Sequence, residues 1–415
     1  MKTKVLIDAV ALRSGGGVTH VVSLLPELDR AAENMEFFVV TGRQQWKRLD
    51  RSYRNVQWID CGEATVESLL ARQRFYKRNI PKIIRKHGID VYYAISGLIP
   101  RGVEALTATV SCPQNMLPFA REERSKYSFL DKTRWRLRIL ENAYLDSLRR
   151  TDVVILISEY GGRVFETHIP GITERCRLVY HGVDPAFNAE SDAAVQKPVD
   201  GEYILYVSIL NYYKYQVELL RAFAILCLDE RFTANLVLAG PAYPPYKTRV
   251  LKELDSLNLS GRAKWIGFVD REHLPPLYRG ARLCVFPSGV EFCPNIQLEM
   301  MRSGCPMALS NRGPMPEIGR NAAVYFDPSK PDEIARAMRS LYFAPRLAEK
   351  LGRRAFGLSQ EFSWSNTAKR TIAALSEGIQ RGQKRLANGP SLIALDGQRF
   401  DGQRFDGQCC NKGAA

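Results

Sequence analysis

The chain has 415 residues, 45% of them hydrophobic, which is enough to fill the cores of two or three domains. Its 59 lysines and arginines outnumber 44 acids, and the net charge of +15 favours anionic partners: nucleic acid, an acidic membrane face or phosphorylated metabolites. No stretch approaches the ~18 apolar residues of a membrane span, which excludes a spanning protein, and a soluble basic enzyme has the same balance.

In chain order, Lys4–Val10 predicts a strand, "RSGGG" a glycine loop that includes Gly16 and Gly17, and Val18–Leu28 a helix. Asp8 interrupts the N-terminal apolar run, so no export signal is expected and the protein reads as cytoplasmic. Further strands are predicted at Phe37–Val40, Asp90–Ala94, Thr107–Val110 and Val153–Ser158, separated by helical patterns such as the arginine-rich Lys132–Leu148. Alternation of this kind argues for a parallel sheet covered by helices. The polar stretch His181–Gly201 shows no element and reads as an inter-domain linker.

A second series begins at Tyr203. Strands are predicted at Tyr203–Ser208, Asn235–Ala239, Ala263–Gly267, Leu283–Phe286, Pro306–Leu309 and Ala323–Phe326. Helices are predicted at Gln216–Leu228, Tyr246–Leu257, Glu272–Arg279, Asn295–Ser303 and Asp332–Leu341. The fold class is therefore α/β, with two doubly wound domains: residues 1–185 and residues 200–362. A helix over 363–384 closes the folded part and packs back toward the first domain. From 385 onward the repeat "DGQRFDGQRFDGQ" lacks the hydrophobes for a core and reads as disordered.

The chemistry centres on "EFCPNIQLEMMRSGCP", from Glu291 to Pro306. A strand, a loop carrying Glu291 and a helix carrying Glu299 follow one another, with Pro294 in the first turn. The amides near Asn295 and Ile296 are then free at a helix N-terminus, where a pyrophosphate would be attracted. Ligands of open α/β sheets bind beyond the carboxyl ends of the strands, so the glycine loop and this segment should face each other across a cleft. Nine cysteines without a C-x-x-C pair or ligand spacing read as buried thiols of a reducing compartment, with no metal site.

The E-x7-E element Glu291/Glu299, with "FPS" before it and "LEMMRSGCP" after it, resembles that of glycosyltransferase family 4, the retaining group with the GT-B fold. "SILNYYKYQ" resembles the phosphate-binding loop of that family, with Lys214 in the lysine position. "HGVD", "FSWSNTA", "GGGVTHVV" and "CPQNMLPF" fit as well. The resemblance implies a hexosyltransferase using a nucleotide sugar, UDP- or GDP-linked, on a glycan or lipid-linked acceptor, as in surface-polysaccharide assembly. It implies that Lys214 neutralises the leaving diphosphate, that Glu299 binds the ribose hydroxyls and that Glu291 lies beside the donor sugar. No cofactor or metal is implied. Ile209 stands where many members have an arginine, so a second cation comes from elsewhere or activation is weaker. Gln114 and Asn115 follow a first-domain strand on the acceptor side; contact with a sugar and stabilisation of a turn are both open. Trp135, Leu137, Ile139 and Leu140 lie among arginines in the helix predicted from Lys132, which suits a packed helix with a basic face or docking to an anionic membrane. Two other classes stay open: a GT-B epimerase, hydrolase or phosphorylase, and a basic membrane or nucleic-acid binder. The second lacks an RNA-binding aromatic motif, so no nucleic-acid partner is expected.

Overall fold

The computed structural model describes residues 2–12, 16–44, 53–188 and 199–389. Thirteen strands form two sheets among these residues. The first contains β1 (Thr3–Asp8), β2 (Met35–Thr41), β3 (Val56–Asp60), β4 (Val91–Ala94), β5 (Ala108–Ser111), β6 (Val153–Leu156) and β7 (Cys176–Leu178), ordered β3-β2-β1-β4-β5-β6-β7. The second contains β8 (Tyr203–Val207), β9 (Asn235–Ala239), β10 (Ala263–Gly267), β11 (Leu283–Phe286), β12 (Met307–Ser310) and β13 (Val324–Phe326), ordered β10-β9-β8-β11-β12-β13. Every ladder is parallel.

The central strands are near-continuous apolar runs, such as "YILYV" in β8 and "LCVF" in β11, because helices cover both faces. Sequence reading finds all six strands of the second sheet but misses β3 and β7 of the first. Both are edge strands with weak signals. "VQWID" in β3 leaves side chains half-buried or exposed, and β7 is three residues long.

The chain crosses from the first sheet to the second after β7 and returns before the helix Trp364–Ala387. These crossings touch. The Val183 amide donates to the Phe362 carbonyl (3.0 Å), and Thr367 Oγ1 donates to the Tyr180 carbonyl (2.8 Å). A Cβ on Gly182 would lie 2.2 Å from the Trp364 nitrogen, so only glycine allows this approach. The start of the stretch expected to be elementless is instead packed: Pro185–Phe187 makes a 3₁₀ turn and Phe187 is fully buried in the second core. Residues 189–198 of it lie outside the described residues.

The helix Trp364–Ala387 returns onto the first sheet, where Gly378 and Gly382 let it approach Val110 and Ala108 of β5. Arg385, expected at the start of the polar tail, lies inside this helix and pairs with Asp152 (2.8 Å). The repeat itself is outside the described residues. No described helix is long and apolar enough to cross a membrane.

Candidate active site

β8 and β11 are the neighbouring strands at which the order of the second sheet reverses, and ligands of such sheets collect beyond the carboxyl ends there. The loops leaving these two strands carry Lys214 and Glu291. Lys214 ends the 3₁₀ turn Tyr212–Lys214, started by Asn211, whose side chain accepts from the Tyr212 amide (2.8 Å). Its ammonium is buried and ion-paired with Glu291 Oε1, which also accepts from Ser288 Oγ (2.7 Å). Val290 and Phe292, on either side of Glu291, are buried in the core of the first half. Phe292 packs edge-on against Phe165, their ring centroids 5.7 Å apart. The alternation of apolar and acidic residues thus seats one domain on the other while turning Glu291 toward Lys214.

Tyr215, directly after Lys214, is held in the left-handed region at φ 53°, an uncommon state for a residue with a Cβ. The first domain holds it there. Its hydroxyl donates to Glu123 Oε1 (2.8 Å), and the Lys126 ammonium sits 3.4 Å from its ring centre. Glu123 also pairs with Lys126 (2.8 Å) and Arg312 (3.3 Å).

The helix Asn295–Arg302 begins with Pro294 at its N-cap, one position earlier than the first turn expected for it. The amides of Asn295 and Ile296 have no acceptor within the helix. Opposite them starts the helix Gly16–Ala31: a Cβ on Gly16 would lie 3.5 Å from Asn295 Nδ2. Two helix N-termini, one from each domain, therefore meet, and both attract negative charge. Gly17 instead faces Leu12, which a Cβ would approach to 2.8 Å. Asn295 Oδ1 accepts from His181 Nδ1 (2.8 Å), which leaves His181 Nε2 to accept from His20 Nδ1 (2.7 Å). Burial pushes His181 down to about 4, and burial with His181 alongside holds His20 well below the ordinary histidine range. Both rings are therefore neutral at pH 7, and the hydrogen-bond chain itself requires this of His181.

Glu299 lies one turn into the same helix and is 6% exposed. It accepts from Arg271 Nη1 (3.2 Å) and the Tyr278 hydroxyl (3.1 Å), yet burial raises its carboxyl to about 7. Arg271 also faces Asp184 (3.5 Å), so a guanidinium stands beside Glu299 although Ile209 supplies none. Gln114 and Asn115 are engaged locally: Gln114 Nε2 donates to Cys112 Sγ (3.2 Å), and Asn115 Oδ1 accepts from the Leu117 amide (3.0 Å). The turn-stabilising alternative describes Asn115 in this state. Sequence reading missed His20, Glu123, Arg271 and Tyr278. Among the described residues, no group of three or more His, Cys, Asp or Glu side chains is placed to hold a metal ion.

Residues 14–187 match the family model "Glycosyltransferase Family 4", and residues 187–357 match "Glycosyl transferases group 1". The chain is 28% identical over 247 residues to O-antigen chain mannosyltransferase B of Escherichia coli, a match covering 58% of this chain and 64% of that protein. It thus spans under two thirds of that relative's length. Over nearly its whole length it is 24% identical to mannosylfructose-phosphate synthase of Agrobacterium fabrum, covering 89% of this chain and 87% of the relative. The solved structure of Anabaena HepE in complex with UDP and glucose superposes with a TM-score of 0.69 at 17% identity, over 90% of this chain and 99% of that one. The two family models meet at residue 187, where the chain passes between its sheets, and the chain belongs to the glycosyltransferases of family 4, with the GT-B fold.

Proposed function

We propose that the cleft moves a hexose, of the mannose or glucose type, from a nucleotide-sugar donor to a glycan or lipid-linked acceptor in surface-polysaccharide assembly. The observation that carries this reading is the convergence of Lys214, Glu291 and two helix N-termini at the reversal point of the second sheet. A mannosyltransferase among the relatives and a fold neighbour holding UDP and glucose support it.

On this reading a donor diphosphate takes the place of the Glu291 carboxylate at Lys214 and frees Glu291 for hydroxyls of the sugar. Glu299 accepts from the ribose hydroxyls. The bond between the anomeric carbon and the diphosphate oxygen breaks, the acceptor hydroxyl forms the new bond, and its proton passes to the departing diphosphate. Attack from the face that the diphosphate leaves retains the anomeric configuration. Negative charge grows on the diphosphate as its bond breaks, so the fixed ammonium and the oriented amides stabilise the transition state more than the ground state. Leaving-group stabilisation rests on these groups, and turnover is expected to persist in EDTA.

Thermal unfolding with UDP, GDP and their hexose conjugates tests the reading. A ligand at about 100 times its Kd adds about 2.7 kcal/mol of stability. A panel in which no nucleotide raises the melting temperature would sink it.

A further inference from the structure

Of the large apolar side chains left exposed among the described residues, four fall within 129–139: Phe129 (62% exposed), Leu130 (88%), Trp135 (44%) and Ile139 (70%). They form one ridge. Phe129 and Leu130 make the tip of a turn closed by the Asp131 amide donating to the Ser128 carbonyl (3.0 Å). Asp131 then caps the helix Lys132–Arg149. Trp135 donates its indole N–H to the Phe129 carbonyl (2.9 Å), and the two rings meet edge-on with centroids 5.1 Å apart. Ile139 follows Trp135 by four residues, so both lie on one helix face, while Leu137 turns inward and is buried.

Cations border the ridge. Lys132, Arg136 and Arg138 are exposed, and no acid occurs between Lys132 and Leu140. The acids nearest in sequence are engaged elsewhere. Asp131 accepts from the Thr133 amide (2.8 Å) and the Tyr243 hydroxyl (2.6 Å), and Glu141 pairs with Arg124 (2.5 Å). Arg134 lies over the Phe129 ring, 5.9 Å from its centre. Aromatic and aliphatic groups at the tip of a basic helical face match the boundary between lipid headgroups and acyl chains, where the ring bodies are buried and the cations meet phosphate.

We infer that this ridge docks on an anionic lipid bilayer. Its base is tied to the lysine loop, because the Tyr127 hydroxyl donates to Asn211 Oδ1 (2.6 Å), and to the segment after β9, because the Tyr243 hydroxyl donates to Asp131. Docking therefore brings the mouth of the cleft to the lipid surface, where a lipid-linked acceptor would be met; that last step rests on the sugar-transfer reading above.

Flotation of the full chain with phosphatidylcholine vesicles, with and without phosphatidylglycerol, tests the surface. Binding is expected only with phosphatidylglycerol and should weaken as salt rises. The triple variant K132E/R136E/R138E should lower partitioning at least about a hundredfold, and F129S/L130S should lower it about tenfold. All five side chains are exposed, so both variants should keep the wild-type melting temperature. Wild-type protein that ignores phosphatidylglycerol, or variants that float as well as wild type, would overturn the inference. So would a wild-type dimer that F129S/L130S converts to monomer in sedimentation equilibrium, since the ridge would then be a protein contact. UDP- or GDP-dependent stabilisation in the same preparations keeps the two readings apart. Nucleotide binding without flotation rejects the ridge alone, and flotation without nucleotide binding rejects the sugar-transfer reading alone.

Discussion

The two sheets wind alike, yet their carboxyl ends are furnished differently. In the first half the acid that ends β1, Asp8, is fully buried and accepts from the Tyr92 hydroxyl (2.5 Å), the Val10 amide (3.0 Å) and the Tyr76 hydroxyl (3.3 Å). All three donors belong to its own half, and burial raises its carboxyl above the usual range. To Asn295 this half brings the start of a helix at Gly16 and the neutral ring of His181. The second half brings side chains: Lys214 against Glu291, and Glu299 under Arg271 and Tyr278. Burial and saturation make Asp8 a structural group, whereas the second-half acids are paired with residues that a ligand could replace. The difference puts the charged side chains in the second half while each half supplies one helix N-terminus, so a diphosphate meets both termini only while the halves are seated together.

The largest expected effect breaks the charged side of that division. Lys214→Ala should lower kcat by about 10²–10³, the usual result of deleting one preorganised stabilising group, with a smaller effect on KM. Gly16→Ala should cost far less, because its Cβ meets Asn295 at an ordinary contact distance of 3.5 Å. Steady-state kinetics of both variants decide the matter. Equal losses would mean that the first half contributes as much as the lysine.

Seating can be broken separately. Phe292 is buried in the first-half core, and a Cβ on Gly161 would fall 1.9 Å from its ring. Phe292→Ala should cost about 3–5 kcal/mol. Gly161→Ala should also destabilise the wild type, but much less in the Phe292→Ala background, where the obstructing ring is gone. Urea midpoints of the single and double variants give the coupling. Additive effects would show that the ring does not pack against this glycine in solution.

These contacts also explain what was legible. The motif around Glu291 and Glu299 is contiguous and lies on a strand-loop-helix whose apolar run and proline are plain in the sequence, as are all six strands of its sheet. The residues that hold it are not contiguous with it. Glu123 stands in "REERSKY", one of several charges in a polar segment, and only the fold brings it to Tyr215. His20 and His181 are 161 residues apart and meet because the two crossings lie beside the first helix. A periodic pattern reports the face that a residue occupies, not its partner from another domain. Edge strands fail for a related reason: β3 has one neighbour and half-exposed faces, so its apolar pattern is diluted.

Acid–base behaviour sharpens the comparison. Burial raises Glu299 from its ordinary value of 4.5 to about 7, so between these values the folded state binds more protons than the unfolded one. Stability contributed by protonated Glu299 is complete below about pH 4.5 and is lost as pH rises toward 7, by an amount on the order of 3 kcal/mol. His181 acts in the opposite direction. Lowered from 6.5 to about 4, it destabilises the fold as pH falls through that interval. Glu299→Gln removes only the first effect. Its stability relative to wild type should therefore rise between pH 5 and 7 and level off above. Denaturant midpoints across that range would show a flat difference if Glu299 titrated normally.

The smallest expected effect concerns a second contact that seats the halves. Glu317, on the second-half helix Met315–Gly319, accepts from the amides of Glu159 (2.7 Å) and Tyr160 (2.9 Å). Those amides open the first-half helix Glu159–His168, so the carboxylate of one domain supplies acceptors for the N-terminus of the other. It also accepts from the Tyr180 hydroxyl (2.7 Å), beside the crossing between sheets. Glu317→Gln keeps the shape but removes the charge and turns an NH₂ toward donors it cannot satisfy. A partly buried carboxylate at a helix N-terminus contributes about 1–2 kcal/mol, and the variant should lose about that much in a urea titration. The loss should shrink when UDP or GDP is bound, because a ligand contacting both halves would stabilise their apposition independently. An unchanged midpoint would leave Phe292 and its neighbours as what seats the domains. A loss that persists undiminished with saturating nucleotide would mean that the ligand touches one half alone, and the meeting of the two helix N-termini on one diphosphate would fail with it.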